Sequence, residues 1–206
     1  MSLGKKLRFL LLVTAAIAGT LLSLRLNAPV AQLSTATVLP APVALPEFLL
    51  LDQHRQPVGR EVFHDRWSLL FFGYTNCPDI CPITLQVLAA AKQRLADQGL
   101  ETLPQIVLVS VDPERDTTDI IGRYVDYFGA DIIGITGDIE ELRKLTGGLG
   151  VYFERLPVAT DTLNYMVDHS AVVLVINPRG EFHALFSAPH AAENFANDLP
   201  LIMARQ

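Results

Sequence analysis

Trp67-Ser68-Leu69-Leu70-Phe71-Phe72, followed by Thr75-Asn76-Cys77-Pro78-Asp79-Ile80-Cys81-Pro82-Ile83-Thr84, is an apolar run leading into a polar turn that holds both cysteines of the chain. The run from Ser68 to Gly73 lacks polar–apolar alternation, which suits a strand covered on both faces. A helix is expected after Cys81. Pro82 suits a first helical position, Leu85, Leu88, Ala89, Leu95 and Ala96 recur near helical spacing, and Gly99 ends the pattern. A disulfide across so short a loop would remove little entropy from the unfolded chain, so the cysteines do not read as a fold staple. Two thiols at this distance can instead clamp a metal or serve as a redox pair. Their spacing is C-x-x-x-C, one residue longer than the C-x-x-C of thiol–disulfide oxidoreductases. The helix N-terminus is expected to favour a thiolate at Cys81, with Pro78 and Pro82 stiffening the turn.

Alternating elements follow. Phe48 to Asp52 and Gln56 to Gly59 read as two short strands around a turn. Gln105 to Val111 is a second buried strand, and Thr117 to Phe128 a helix with Ile120, Ile121, Tyr124 and Phe128 on one face. Ile132 to Thr136 is a short strand. Asp138 caps a helix that runs through Leu145 and is stopped by Gly147-Gly148. Gly150 to Tyr165 reads as irregular. Ala171 to Ile176 and Phe182 to Phe186 form a hairpin around Asn177-Pro178-Arg179-Gly180, and a last helix begins near Ala191. This order predicts an α/β, thioredoxin-like sandwich with a mixed central sheet. Ligands in such sheets collect beyond the C-terminal ends of parallel strands, where Cys77, Cys81 and the Asp112 turn all fall.

The 206 residues include 22 acidic and 16 basic side chains, a net charge of −6, which speaks against a nucleic-acid partner. The N-terminus differs from the rest. Lys5, Lys6 and Arg8 precede an uncharged stretch from Phe9 to Leu24 closed by Arg25. That layout predicts an N-terminal transmembrane helix over residues 1–25, with the positive flank in the cytoplasm. The stretch is slightly shorter than the ~20 residues of a usual span. A cleaved signal peptide is the alternative, and no cysteine follows closely enough for lipoprotein processing. Residues 26–46, rich in Pro, Ala and Thr, read as a linker, and residues 47–206 as the domain. The domain is then exported to an oxidising compartment, where lone cysteines tend to be paired or used.

Two thiolates suit Cu(I), zinc or a disulfide, and a metal would need a third donor. His54 and His64 read as surface residues and His183 as a packing residue. His190 lies in a loop with nothing to support ligation. His169 stands in Asp168-His169-Ser170, just before a buried strand, where Asp168 could orient the imidazole. Asp112 and Asp116 bracket the turn after the second buried strand. They read first as turn-forming and helix-capping residues, with support of the cysteines or partner docking as the alternative.

Three ordered motifs add to this reading. They are Cys77-Pro78-Asp79-Ile80-Cys81-Pro82, Val111-Asp112-Pro113-Glu114-Arg115-Asp116-Thr117 and Val167-Asp168-His169-Ser170. Together they resemble the Sco/SenC family of copper chaperones for cytochrome c oxidase assembly, over Leu45 to the C-terminus. The family commonly has valine and threonine where this chain has Ile80 and Ile83, neither of them a donor. The resemblance implies one copper ion, Cu(I) or Cu(II), held by Cys77, Cys81 and His169. It also implies the copper-binding subunit of cytochrome c oxidase as target and, because the cysteines must be reduced to bind, a thioredoxin-like reductant as second partner. The reading is then a membrane-tethered metallochaperone of the bacterial periplasm and not an enzyme. The mitochondrial intermembrane space is the alternative location. A thiol–disulfide reductase acting on copper-site cysteines, or a copper or redox sensor, are the alternative functions.

Overall fold

The computed structural model describes residues 13–14, 32–129, 131–156 and 165–204. The chain divides into two units, Met1–Gln32 and Leu33–Gln206. The N-terminal helix expected over residues 1–25 lies, except for Val13 and Thr14, outside the described residues. Among the described residues no helix is long and apolar enough to cross a membrane.

The second unit is built on the two strands whose sequences are apolar throughout. β4 (Ser68–Gly73) and β5 (Gln105–Ser110) are buried at every position and run parallel, in register from Ser68 opposite Gln105 to Gly73 opposite Ser110. Each fully buried Leu or Phe here contributes roughly 1.5–3 kcal/mol. β6 (Ile132–Thr136) extends the sheet in parallel beside β5. β9 (Val172–Ile176) pairs antiparallel with β4, and β10 (Glu181–Ser187) with β9. β2 (Leu50–Asp52) and β3 (Pro57–Val58) complete the far edge. With β1 (Thr37–Ala44) at the other edge, the order among the described residues is β1-β10-β9-β4-β5-β6-β2-β3, an eight-stranded mixed sheet. Helices α1 (Ile80–Asp97), α2 (Thr118–Phe128), α3 (Ile139–Leu149) and α4 (Ala192–Met203) surround it. α1 packs against α4, and α2 packs on β6. The architecture is the expected α/β thioredoxin-like sandwich.

Four expectations are corrected. The stretch expected to be linker, 26–46, contains β1 (Thr37–Ala44), which pairs antiparallel with β10, and Leu45 is buried. β1 is an edge strand with a register break between Val38 and Val43, where Pro40 and Pro42 sit. An edge strand tolerates proline because only one side of its backbone must pair. Second, α3 does not stop at Gly147-Gly148 but continues to Leu149, and Gly150 ends it in the left-handed conformation (φ 67°). Gly148 is there for packing, since a Cβ on it would stand 2.7 Å from Pro46 Cγ. Third, Gly150 to Tyr165 is not wholly irregular. β7 (Phe153–Leu156) and β8 (Met166–His169) form a separate two-stranded antiparallel sheet. Its residues are largely exposed, so no apolar run marked them. Fourth, α1 starts earlier than expected. Asp79 is its cap and Ile80 its first residue, leaving Pro82 third.

Candidate metal centre

β4 ends at Gly73 and the chain turns through Tyr74-Thr75-Asn76 into Cys77, whose N–H donates to the Tyr74 carbonyl at 3.3 Å. Cys77 lies in the turn and Cys81 in the first turn of α1. Both are free thiols. Cys81 is fully buried and Cys77, 8% exposed, is the less deeply buried of the two. The last residue of β8, His169, reaches the same point, with Nε2 at 3.5 Å from Cys81 Sγ. The register of the small sheet puts His169 opposite Phe153. Edges of the imidazole meet the rings of Phe71 and Tyr74, with centroids 6.0 and 5.9 Å away. The three ligand atoms of Cys77, Cys81 and His169 lie within 4.8 Å of one another, and among the described residues they alone form such a group of metal-binding side chains.

The two sulfurs divide one proton between them. The hydrogen bond from Cys81 holds the Cys77 thiol down to about 3. Burial opposes this, while His169 and the backbone N–H groups of Asp79 and Cys81 reinforce it. Cys81 is pushed well above the ordinary thiol range, first by its bond to Cys77 and then by burial. The expectation that the helix start would favour a thiolate at Cys81 is therefore corrected. The helix N–H groups serve Cys77, and Cys81 is too deeply buried to be the first to ionise. At His169, Nδ1 is 3.3 Å from the Ser170 carbonyl oxygen. A carbonyl can only accept, so Nδ1 donates to it, which fixes the ring with Nε2 facing Cys81. Ser170, not Asp168, thus orients the ring. Asp168 is exposed, facing Glu154 across the hairpin.

Asp116 binds the cysteine turn directly, and Asp112 stands in the turn after β5. Asp116 is fully buried. It accepts from Thr75 N at 2.9 Å, Thr75 Oγ1 at 2.5 Å and Ser110 Oγ at 2.6 Å, so it fixes the residue two before Cys77. Burial raises its pKa even against these donors. Asp112 pairs with Arg115 and accepts from the Tyr165 hydroxyl at 2.5 Å. Arg115 in turn covers the Tyr165 ring, 3.7 Å from its centroid. A cavity of about 420 Å³ lies beside this group, between Asp112, Glu114, Arg143, Phe153, Arg155 and Tyr165. Both carboxylates therefore hold structure around the donors and ligate nothing in this arrangement.

The remaining histidines lie elsewhere. His54 and His64 are exposed. His183 packs edge-on against Trp67, and His190 contacts the Ala171 carbonyl oxygen through Nε2 at 3.2 Å. Sequence reasoning passed over Tyr74, Phe71, Thr75, Ser110 and Tyr165. Tyr74 carried the clearest signal, as a polar aromatic between a buried strand and the cysteine turn. Its hydroxyl accepts from Val167 N at 3.3 Å and so ties β8 to the end of β4.

The sequence profile of the family described as SCO1/SenC matches residues 38–204, from β1 to the end of α4. A Stutzerimonas stutzeri protein named for copper binding is 37% identical, the match covering 93% of each chain. The human mitochondrial SCO2 homologue is 33% identical, across 98% of this chain and 77% of its own. Among solved structures, copper-bound Arabidopsis thaliana ScoI is 29% identical with a TM-score of 0.74, covering 80% of this chain and all of its own. Apo Sco1 of Thermus thermophilus is 32% identical with a TM-score of 0.73, covering 84% of this chain and 99% of its own. With the profile spanning the whole sheet and relatives above 30% identity along nearly the full length, this chain belongs to the SCO1/SenC family.

Proposed function

We propose that the chain is a membrane-tethered copper metallochaperone. It binds one copper ion through Cys77 Sγ, Cys81 Sγ and His169 Nε2 and delivers it to the binuclear copper site of cytochrome c oxidase. The observation that carries this reading is the convergence of these three donors, within 4.8 Å, from two distant parts of the chain. Two thiolates and an imidazole are soft enough for Cu(I), and their two negative charges balance Cu(II). The copper named for the Arabidopsis and Stutzerimonas relatives supports the choice of metal.

The residues prepare the exchange. Cys77 is already thiolate-like, so copper needs to displace only the proton held by Cys81. Ser170 holds Nδ1 of His169 and so keeps Nε2 turned towards the sulfurs. Three donors leave coordination positions open, and the partner's ligands enter from the side of Cys77 and His169, the two donors that are not fully buried. In an oxidising compartment the two thiols lose two electrons and two protons to form a disulfide that cannot bind. A thioredoxin-like reductant returns them. The domain faces the bacterial periplasm, held to the inner membrane through residues 1–25.

The test compares wild type with His169→Ala, both reduced, titrated with Cu(I) and Cu(II). Wild type takes up one equivalent and shows thiolate-to-copper absorption, and His169→Ala loses the band and affinity. Unchanged affinity and absorption in His169→Ala, with measurable thiol reductase turnover, would overturn the reading. That outcome would favour the second reading, a reductase of copper-site cysteines. One observation supports it: a low-pKa Cys77, the less buried of the pair, backed by a protonated Cys81 is the division between attacking and resolving thiol.

A further inference from the structure

Gly73, the last residue of β4, lies where a side chain would collide with the metal centre. A Cβ built on it would stand 3.0 Å from Cys81 Sγ, 2.9 Å from Phe71 Cε1 and 3.3 Å from Leu108 Cδ1. All three neighbours are fully buried, so none can swing into solvent to make room. The strand cannot retreat either. Gly73 pairs with Ser110 in the β4–β5 ladder, and its carbonyl accepts from Val111 N at 2.9 Å. Nor does backbone conformation call for glycine. Among the described residues the glycines with positive φ are Gly99, Gly137, Gly150 and Gly180. What the position requires is the absence of a side chain: Phe71 Cε1 and the Cys81 sulfur are the two nearest atoms, and the sulfur shifts by rotation about one bond. Phe71 carries the same pressure to His169, whose ring meets it edge-on.

We infer that Gly73 is a positioning residue of the metal centre: its bare Cα is the seat of Cys81 Sγ and, through Phe71, it sets the tilt of His169. A side chain at 73 would drive the sulfur off its seat, changing both the donor triangle and the reach from Cys81 to Cys77. Insofar as the metal is copper, the inference rests on the function proposed above.

The experiment uses the full chain and Gly73→Ala. Three quantities are read: thiolate-to-Cu(II) absorption, Cu(I) affinity against a bathocuproine competitor, and the thiol–disulfide equilibrium with glutathione. In that equilibrium the Cys77–Cys81 disulfide and two glutathione thiols give two cysteine thiols and one glutathione disulfide. Gly73→Ala is expected to fold, shift the absorption band, weaken Cu(I) by about tenfold and move the glutathione equilibrium by about tenfold. A folded Gly73→Ala with wild-type band, affinity and equilibrium overturns the inference. If wild type itself takes up no copper, the proposed function fails, and Gly73 is judged on the glutathione equilibrium alone. If Gly73→Ala does not fold, Phe71→Leu/Gly73→Ala is compared with Phe71→Leu. The leucine removes the 2.9 Å ring contact and leaves the sulfur contact. A double variant that also fails to fold, where Phe71→Leu folds, overturns the inference, because the strand end and not the sulfur then needs the glycine.

Discussion

Cys81 Sγ and His169 Nε2 lie 3.5 Å apart although 88 residues separate them in sequence. One sits in the first turn of α1, the other at the end of a small two-stranded sheet outside the main one. Neither element places its donor alone. The Tyr74 hydroxyl, accepting from Val167 N, ties the two together, and its ring borders the imidazole. The fully buried sulfur thus has a partner on the hairpin side, and Cys77 is left as the less buried, ionised member of the pair.

That asymmetry predicts which thiol reacts. In the reduced, metal-free chain, iodoacetamide should alkylate Cys77 and leave Cys81 untouched. The rate should be nearly level from about pH 5 to 8, because a thiolate with a pKa far below this range is fully formed throughout it. Cys81→Ala removes the first cause of the low value. The rate should then rise with pH as an ordinary thiol does, towards a midpoint nearer ~8.5. Mass spectrometry of the labelled peptide against pH decides it, and equal labelling of both cysteines at low pH would contradict the assignment.

Asp116 should matter more than its distance from the sulfurs suggests. It is buried and satisfies the Thr75 N–H and two hydroxyls at once. Asp116→Ala leaves all three without their acceptor, at a cost on the order of 3 kcal/mol in urea unfolding. It also frees the turn before Cys77, so metal affinity should fall by about tenfold or more. Asp116→Asn keeps the volume and should recover part of the stability. A stable Asp116→Ala with unchanged affinity would reduce the residue to a simple turn former.

How legible all this was depended on burial. β4 and β5 lie inside the sheet, so their sequences are apolar without interruption and announced themselves. The thioredoxin-like order followed from them. β7 (Phe-Glu-Arg-Leu) and β8 (Met-Val-Asp-His) form a sheet largely exposed to solvent, so no period marked them, and His169 was placed only relative to the strand that follows. β1 was hidden by Pro40 and Pro42, which read as a tether and are tolerated at an edge. The three donors were named by the motif resemblance, since a lone histidine at a strand start has no signal of its own. The roles of the two sulfurs could not be read from spacing. They depend on which one is buried and which receives the N–H groups of Asp79 and Cys81.

Asp198 on α4 should give the domain an acid-sensitive clasp. Its carboxylate accepts from the backbone N–H groups of Ser34, Thr35 and Ala36 at 2.7, 2.9 and 2.8 Å, just ahead of β1. Burial alone would raise its pKa, but these donors outweigh burial and hold it below the usual carboxylate value. A depressed pKa means that the stabilisation is present above the unfolded value of about 3.9 and is lost as pH falls through the lower folded value. Stability should therefore decline below about pH 4, and residues 33–44 should become open to protease there. Asp198→Asn should remove that part of the pH dependence. Thermal unfolding against pH, with limited proteolysis, tests both, and an identical pH profile in Asp198→Asn would refute the clasp.

Two adjacent glycines of α3 should respond in opposite directions to the same substitution. In a helix interior, Gly→Ala is worth roughly 0.5–1 kcal/mol, because glycine loses more backbone freedom on folding. Gly147 is exposed, and a Cβ there would meet nothing within 4 Å, so Gly147→Ala should gain that amount. At Gly148 the Cβ would stand 2.7 and 2.9 Å from Pro46 Cγ and Cδ. A proline ring cannot rotate away as a flexible side chain would, so either α3 or the chain leading from β1 must shift. Overpacking of this kind costs about 1–3 kcal/mol, more than the helix gains. Gly148→Ala should therefore lower the urea midpoint while Gly147→Ala raises it, with unfolding slopes unchanged. Stabilisation by both would mean that Pro46 yields freely and that the close approach of α3 to the β1–β2 connection is not a packing requirement.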